Sequence, residues 1–372
     1  MNRFLMIATA LLCAWVGMAA GCMVYESDGT GGAGGSERVE SAAQEIVAVK
    51  RAGGIWAHPE SCAWHPLLGR FLCSNAVIGS PSVAFHDNVG WLGQISKTGQ
   101  ALWPLDGGGV GPGTPAGWGD ITNTWYDQWG ANELGNPLGL AVNPVNGNIY
   151  VAEGGKLDFG GGAQASICVY NQSGAFLHRL MMPGILTIND VAFYNGALYV
   201  TDSAFSSANQ SAVWKVLTPD NAAATPLNWL SLANYPRPNA VVYRMFDAGA
   251  GARPHLFIST LGTNLDPEAA AHNGGVIRVD ITSRAVTGLG PFNLFSDSIA
   301  WQRTQIGPGR LLVGDLRSRQ IFSVNPLTGA TALWRDISAD VEQLAGMGCD
   351  ESVPSVCAAA TLRGEVLVLT QQ

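Results

Sequence analysis

Four polar residues each head a short apolar stretch of one pattern: Glu60 in "ESCAW", Asn189 in "NDVAF", Asn239 in "NAVVY" and Asp297 in "DSIAW". In every case a spacer follows, then an apolar residue, then Ala or Val, then an aromatic. Two carboxylates and two amides brought together would offer oxygen donors only. Such a set suits Ca²⁺, which takes six to eight oxygen ligands, and does not suit zinc, which favours His and Cys. Without a cation the two carboxylates would repel each other, and removal from water would add to the cost. The same residues would also serve as the polar lining of strand entrances, where Asn is common, so the residue types leave both readings open.

Positioning these four side chains requires repeated strands. The chain repeats a unit made of an apolar strand, a turn with Gly or Asn, and a second apolar strand ending near an acid or a small polar residue. Copies begin at Ser61, Gly139, Asp190, Ala240 and Ser298, and each is followed, after a variable loop, by a further strand pair. Four strands about every 50 residues is the content and period of a propeller blade. The remainder from Gly346 supplies three strands, and "IVAVKR" at Ile46 to Arg51 stands alone before the first full unit. The expectation is an all-β, six-bladed propeller over 46–372, closed by the N-terminal strand in the last blade. In the second unit the position matching Glu60 is Leu138, and the last unit has no certain alignment.

Inner strands of a propeller surround a central channel, so their entrances converge. Loops joining second to third strands lie on the same face and bring His86, Asp202 and His272 toward it, and the long aromatic-rich connection 104–133 brings Trp125. Long loops in compact domains are often functional, and clustered aromatics can wall a small-molecule substrate.

Hairpin geometry also places cysteines. The turn "PLLG" sets residue 65 opposite 70, and hence Cys62 opposite Cys73. A five-residue turn from Glu351 to Ser355 sets Cys349 opposite Cys357. Directly opposed strand residues lie within disulfide range, which predicts two disulfides and leaves Cys168 over.

The N-terminus combines Arg3, an apolar run from Phe4 to Ala20 and the small-residue exit "AAGC", the layout of an export signal. The exit resembles a bacterial lipoprotein box, which implies that Cys22 becomes the lipidated first residue of the mature chain. Met23 follows in place of the aspartate associated with inner-membrane retention, so an outer-membrane lipoprotein facing the periplasm or the exterior is expected. Residues 1–21 then form the signal, and 22–45, including "SDGTGGAGGSERVESA", a flexible tether. The membrane is expected to hold the protein only through this lipid anchor. Export permits disulfides.

Composition agrees with a turn-rich β protein: 13% of residues are charged and 47 of 372 are glycine, against usual levels of about 25% and about 7%. A formal charge of -8 offers no footprint for phosphate backbones, which argues against nucleic acid as a partner. Neither a G-x-S-x-G elbow nor an H-E-x-x-H helix occurs.

The order Glu60, Asn189, Asn239, Asp297, together with "PESCAWHPLLGRFLCSN", "IND" and "RPNAV", resembles the metal-binding strands of the senescence-marker-protein/gluconolactonase family and its paraoxonase and diisopropyl-fluorophosphatase relatives. That resemblance implies one Ca²⁺ in the channel and a hydrolase of lactones, esters or phosphotriesters, with Asp297 as base or nucleophile. This chain departs from the family at Cys62, where a proline is usual, at Ala240, where a glycine is usual, and at Thr187, in place of an arginine shortly before the first asparagine. The alternative is a non-catalytic, lipid-anchored propeller that binds a protein or a glycan.

Overall fold

The computed structural model of the chain describes residues 47–51, 58–76, 91–100, 102, 137–154, 165–205, 207–249, 251–265, 273–305, 307, 309–341, 343–362 and 364–371. Strand β1 (Val47–Arg51) precedes blade one, which holds β2 (His58–His65), β3 (Arg70–Ala76) and β4 (Trp91–Ile95). Blade two is β5 (Pro137–Val142), β6 (Ile149–Glu153), β7 (Ser166–Tyr170) and β8 (Phe176–Met181). Blade three is β9 (Ile188–Tyr194), β10 (Ala197–Asp202), β11 (Ala212–Leu217) and β12 (Pro226–Ser231). Blade four is β13 (Pro238–Asp247), β14 (Ala252–Thr260), β15 (Gly274–Asp280) and β16 (Val286–Leu294). Blade five is β17 (Ser296–Gln302), β18 (Arg310–Asp315), β19 (Gln320–Val324) and β20 (Thr331–Asp336). Blade six is β21 (Leu344–Cys349), β22 (Cys357–Thr361) and β23 (Glu365–Gln371), completed by β1.

The fold is therefore a six-bladed β-propeller of antiparallel sheets. Val47 lies opposite Gln371 and Arg51 opposite Leu367, so the first strand closes the ring as the leftover segments required. Blade one shows three strands among the described residues, and Leu102 N–H donates to Gln94 O on the outer edge of β4 at 2.8 Å.

Packing explains the sequence pattern. Each blade is covered on both faces by its neighbours, so strands such as β6, β7 and β10 are buried at every residue and read as continuous apolar runs instead of alternating ones. The outermost strands β12 and β20 bury little beyond Trp229 and Trp334. Six apolar clusters fill the six joints between successive blades; Cys62, Phe71 and Ile95 pack on Ala358, Val366 and Val368 at the closure. Cys62 pairs in register with Cys73, Cys349 with Cys357, and both pairs are disulfide-bonded. Cys168 is free and buried between blades one and two.

Candidate functional site

The inner strands β2, β5, β9, β13, β17 and β21 all break register at the same height. The pairing of β2 with β3 skips between Pro59 and Ser61, leaving Glu60 bulged, and that of β17 with β18 skips between Ser296 and Ser298, leaving Asp297 bulged. In blade three Asn189 and Asp190 stand against Thr201, and in blade four Asn239 and Ala240 stand against Ser259. Blades two and six repeat the break at Leu138–Gly139 and Ala345–Gly346. A bulge places two residues against one and re-aims the side chain that follows the pleat. The four sequence-predicted oxygen donors thus occupy one position of a sixfold irregularity, with Leu138 and Ala345 in the other two blades.

Hydroxyls stabilise this irregularity. Ser74, Thr201 and Ser259 stand opposite the bulges; their side-chain oxygens accept the N–H groups of Ser61 (3.1 Å), Asp190 (2.9 Å) and Ala240 (3.1 Å). Two of them also donate onward to the next blade: Ser74 to Leu138 O at 2.5 Å and Thr201 to Asn239 O at 2.6 Å. Backbone groups that the bulge frees from the ladder are thereby paired, as buried polar groups must be.

Side chains of the site interact across blades. Asn239 is buried, and its Nδ2 donates to Asp297 Oδ1 at 2.7 Å. That contact turns the amide nitrogen to the carboxylate and leaves Asn239 Oδ1 available as a donor oxygen. Burial, and then the nearby charge of Asp297, push the Glu60 carboxyl up to about 8. Asp297 is pushed up to about 6 by burial, with the bond from Asn239 pulling the other way. Among the described residues no Lys, Arg or His forms an ion pair with either carboxylate.

One acid at the site escaped the sequence reading. Asp190, in the spacer position next to Asn189, is buried and accepts N–H bonds from Val191 and Val241, both at 2.8 Å. Burial raises its carboxyl to about 7 against those two bonds, with Asp297 adding to the rise. The other blades carry Ser61, Gly139, Ala240, Ser298 and Gly346 at this position, all small. Gly139 explains why: a Cβ there would overlap the Asp190 carboxylate and backbone. An acid in a column of small residues was the signal that could have revealed it.

Asp202 is buried and accepts the backbone N–H groups of Leu186 (3.1 Å), Thr187 (2.8 Å) and Ala204 (3.1 Å). It clamps the loop entering β9, and Asp315 does the same for Phe295 ahead of β17. His86, Trp125, His272 and Cys22 lie outside the described residues.

The donor chemistry fits a hard cation. Among the described residues there is no group of three or more His, Cys, Asp and Glu side chains arranged to hold a metal, so a site here would have to be completed by amide oxygens, as Asn189 and Asn239 allow. Two half-buried carboxylates without a cationic partner among the described residues are the other half of the fit.

Among solved structures the chain is similar to a glucose dehydrogenase (TM-score 0.54, 13% identity, covering 87% of this chain and all of that one). It is also similar to a provisionally named gluconolactonase (TM-score 0.53, 11% identity, 88% and 92% covered). A streptogramin B lyase matches at a TM-score of 0.50 with 10% identity, over 88% of this chain and 98% of that one. All three are propeller proteins, and at these identities the likeness shows the fold. No family model and no curated protein matches the chain.

Proposed function

We propose that the protein is a calcium-dependent hydrolase of lactones, esters or phosphotriesters, working at the channel entrance where Glu60, Asn189, Asn239 and Asp297 stand on equivalent bulges. The observation that carries this reading is the pair of half-buried carboxylates, Glu60 and Asp297, without a cationic partner among the described residues and with an amide already turned to one of them.

Glu60, Asn189, Asn239 and Asp297 would hold the ion. Bound there, calcium would polarise a carbonyl or phosphoryl oxygen and stabilise the charge that develops on it. Asn239 fixes the Asp297 carboxylate through Oδ1, leaving Oδ2 to act on the substrate or on a water as nucleophile or base. Asp190 ties the bulge of β9 to the backbone of β13 beside Asn239 and so keeps the two amides in step. The hydroxyl bridges from Ser74 and Thr201 do the same for blades one to two and three to four. Such fixed donors need little reorganisation during reaction, which is where electrostatic catalysis gains most.

Calcium titration of the purified protein, paired with turnover of a panel of lactones, aryl esters and phosphotriesters, tests the reading. Saturable calcium binding with calcium-dependent turnover of one class is the expected result. Calcium binding without turnover of any class would leave a metal-stabilised binding module instead, and the absence of both would remove the proposal.

A further inference from the structure

The end of the propeller opposite the candidate site has features of its own. It is formed by the turns joining first to second strands and third to fourth strands. Every blade exposes a large apolar residue there: Leu67 (50%), Val145 (84%), Leu217 (50%), Met245 (51%), Leu327 (50%) and Val353 (56%) in blades one to six. Scattered single hydrophobics are ordinary on a surface, but these share one end face. Leu67 Cδ1 lies 3.2 Å from where a Cβ on Gly147 would stand, which joins the turn of blade one to that of blade two.

The face is also fastened at all six joints. His65 Nε2 meets Gly147 O at 3.1 Å, and Asp220 accepts Asn146 Nδ2, Asn148 Nδ2 and Tyr150 OH from blade two. Tyr194 stacks on Tyr243 with ring centroids 4.2 Å apart, and Arg278 Nη1 donates to Pro326 O. Arg303 N–H donates to Ser355 Oγ, and Lys97 pairs with the buried Asp350. Arg244 and Arg303 both pair with Glu351 at 2.7 Å. The polar groups of the turns are therefore largely turned on one another. The apolar tips stand on a frame whose polar groups bond, or rings stack, across every joint.

The chain itself says what lies against this frame. Strand β1 begins at Val47 opposite Gln371, at the turn end, and runs toward the mouth end at Arg51. The preceding polypeptide therefore leaves from the apolar face. Only 24 residues separate Val47 from Cys22, a length that reaches at most about 80–90 Å when fully extended. An acyl chain on Cys22 would hold this end at high effective concentration against the bilayer. The net charge of -8 disfavours attraction to anionic headgroups, so a neutral, zwitterionic surface is the better match.

We infer that this turn face is a lipid-contacting surface: Leu67, Val145, Leu327 and Val353 dip into the interfacial zone, and the channel mouth points away from the membrane. Apolar side chains that enter the interfacial zone add buried area to whatever a lipid on Cys22 contributes, and they fix which face meets the bilayer.

The test uses the full chain on vesicles of phosphatidylethanolamine and phosphatidylcholine, with an environment-sensitive fluorophore on one introduced cysteine: Val145→Cys or Leu327→Cys on the turn face, and Leu186→Cys on the mouth face. The expected result is a blue shift with roughly two- to fivefold brightening at 145 and 327, none at 186, and loss of the shift at 327 when Leu67, Val145 and Val353 are all changed to Ser while the acylated chain stays on the vesicles. Equal shifts on both faces, no shift at 145 and 327, a chain that does not join the vesicles, or a shift that occurs without lipid because a second copy covers the face, would each overturn the assignment.

Discussion

Asn239 and Asp297, 58 positions apart in sequence and on adjacent blades, are joined by a 2.7 Å hydrogen bond between equivalent bulges. The carboxylate of blade five is thereby oriented by the amide of blade four. Replacing Asp297 by Asn, or Asn239 by Leu, is expected to lower calcium affinity at least about tenfold and to abolish turnover, because each removes a donor oxygen from the set. Isothermal titration with calcium reads the first effect and the substrate panel the second. Wild-type affinity in both variants would exclude the site.

Glu60 and Asp190 have carboxyls held above their ordinary range, at about 8 and about 7. A raised acid binds its proton in the folded state over a range where the unfolded chain has released it. Stability is then fully present below the unfolded value near 4.5 for Glu60 and is lost as pH rises toward 8. With chelator present, the melting temperature should fall between pH 5 and pH 8, Glu60→Gln should flatten that fall, and calcium should restore the loss at pH 8. A profile that rises over this window would contradict the assignment.

Gly139 and Asp190 are mutually dependent. Gly139→Ala should destabilise the protein by about 1–3 kcal/mol through overlap with the Asp190 carboxylate. Asp190→Ala removes the side-chain part of the obstacle and leaves the backbone Cα at 2.5 Å, so the double variant should still be strained but lose less than the sum of the two singles in a denaturant-melt cycle.

The Cys62–Cys73 bridge closes a hairpin with a sequence separation of 11. Cys62→Ser with Cys73→Ser should cost roughly 2–3 kcal/mol by the chain-entropy relation. A reductant titration followed by thermal melting checks it, and the variant should no longer respond to the reduction of this bridge.

What the sequence by itself determined is what depends on local register. The two disulfide pairs followed from turn length and the two-residue strand period, and the structure pairs Cys62 with Cys73 and Cys349 with Cys357 as that register requires. The number of blades and the closing role of Val47–Arg51 followed from a repeat with one strand missing at one end and one left over at the other. The matched positions of Glu60, Asn189, Asn239 and Asp297 were legible because each is followed by the same apolar and aromatic frame.

Relations between blades were decided only in three dimensions. Blade six could not be aligned from its residues because Ala345, Gly346 and Gly348 present neither the acid nor the aromatic of the frame, yet the shared break in strand pairing places Ala345 beside the other five leading residues. Asp190 read as a spacer because its partners are the N–H of Val241 on another blade and the empty volume over Gly139 on a third. Asp202 read as a pocket residue and is buried against the backbone of its own blade's entry loop. Local spacing fixes which strands form and how they pair; which side chains end in a shared, water-poor space depends on neighbours tens of residues away, and only the closed ring brings them there.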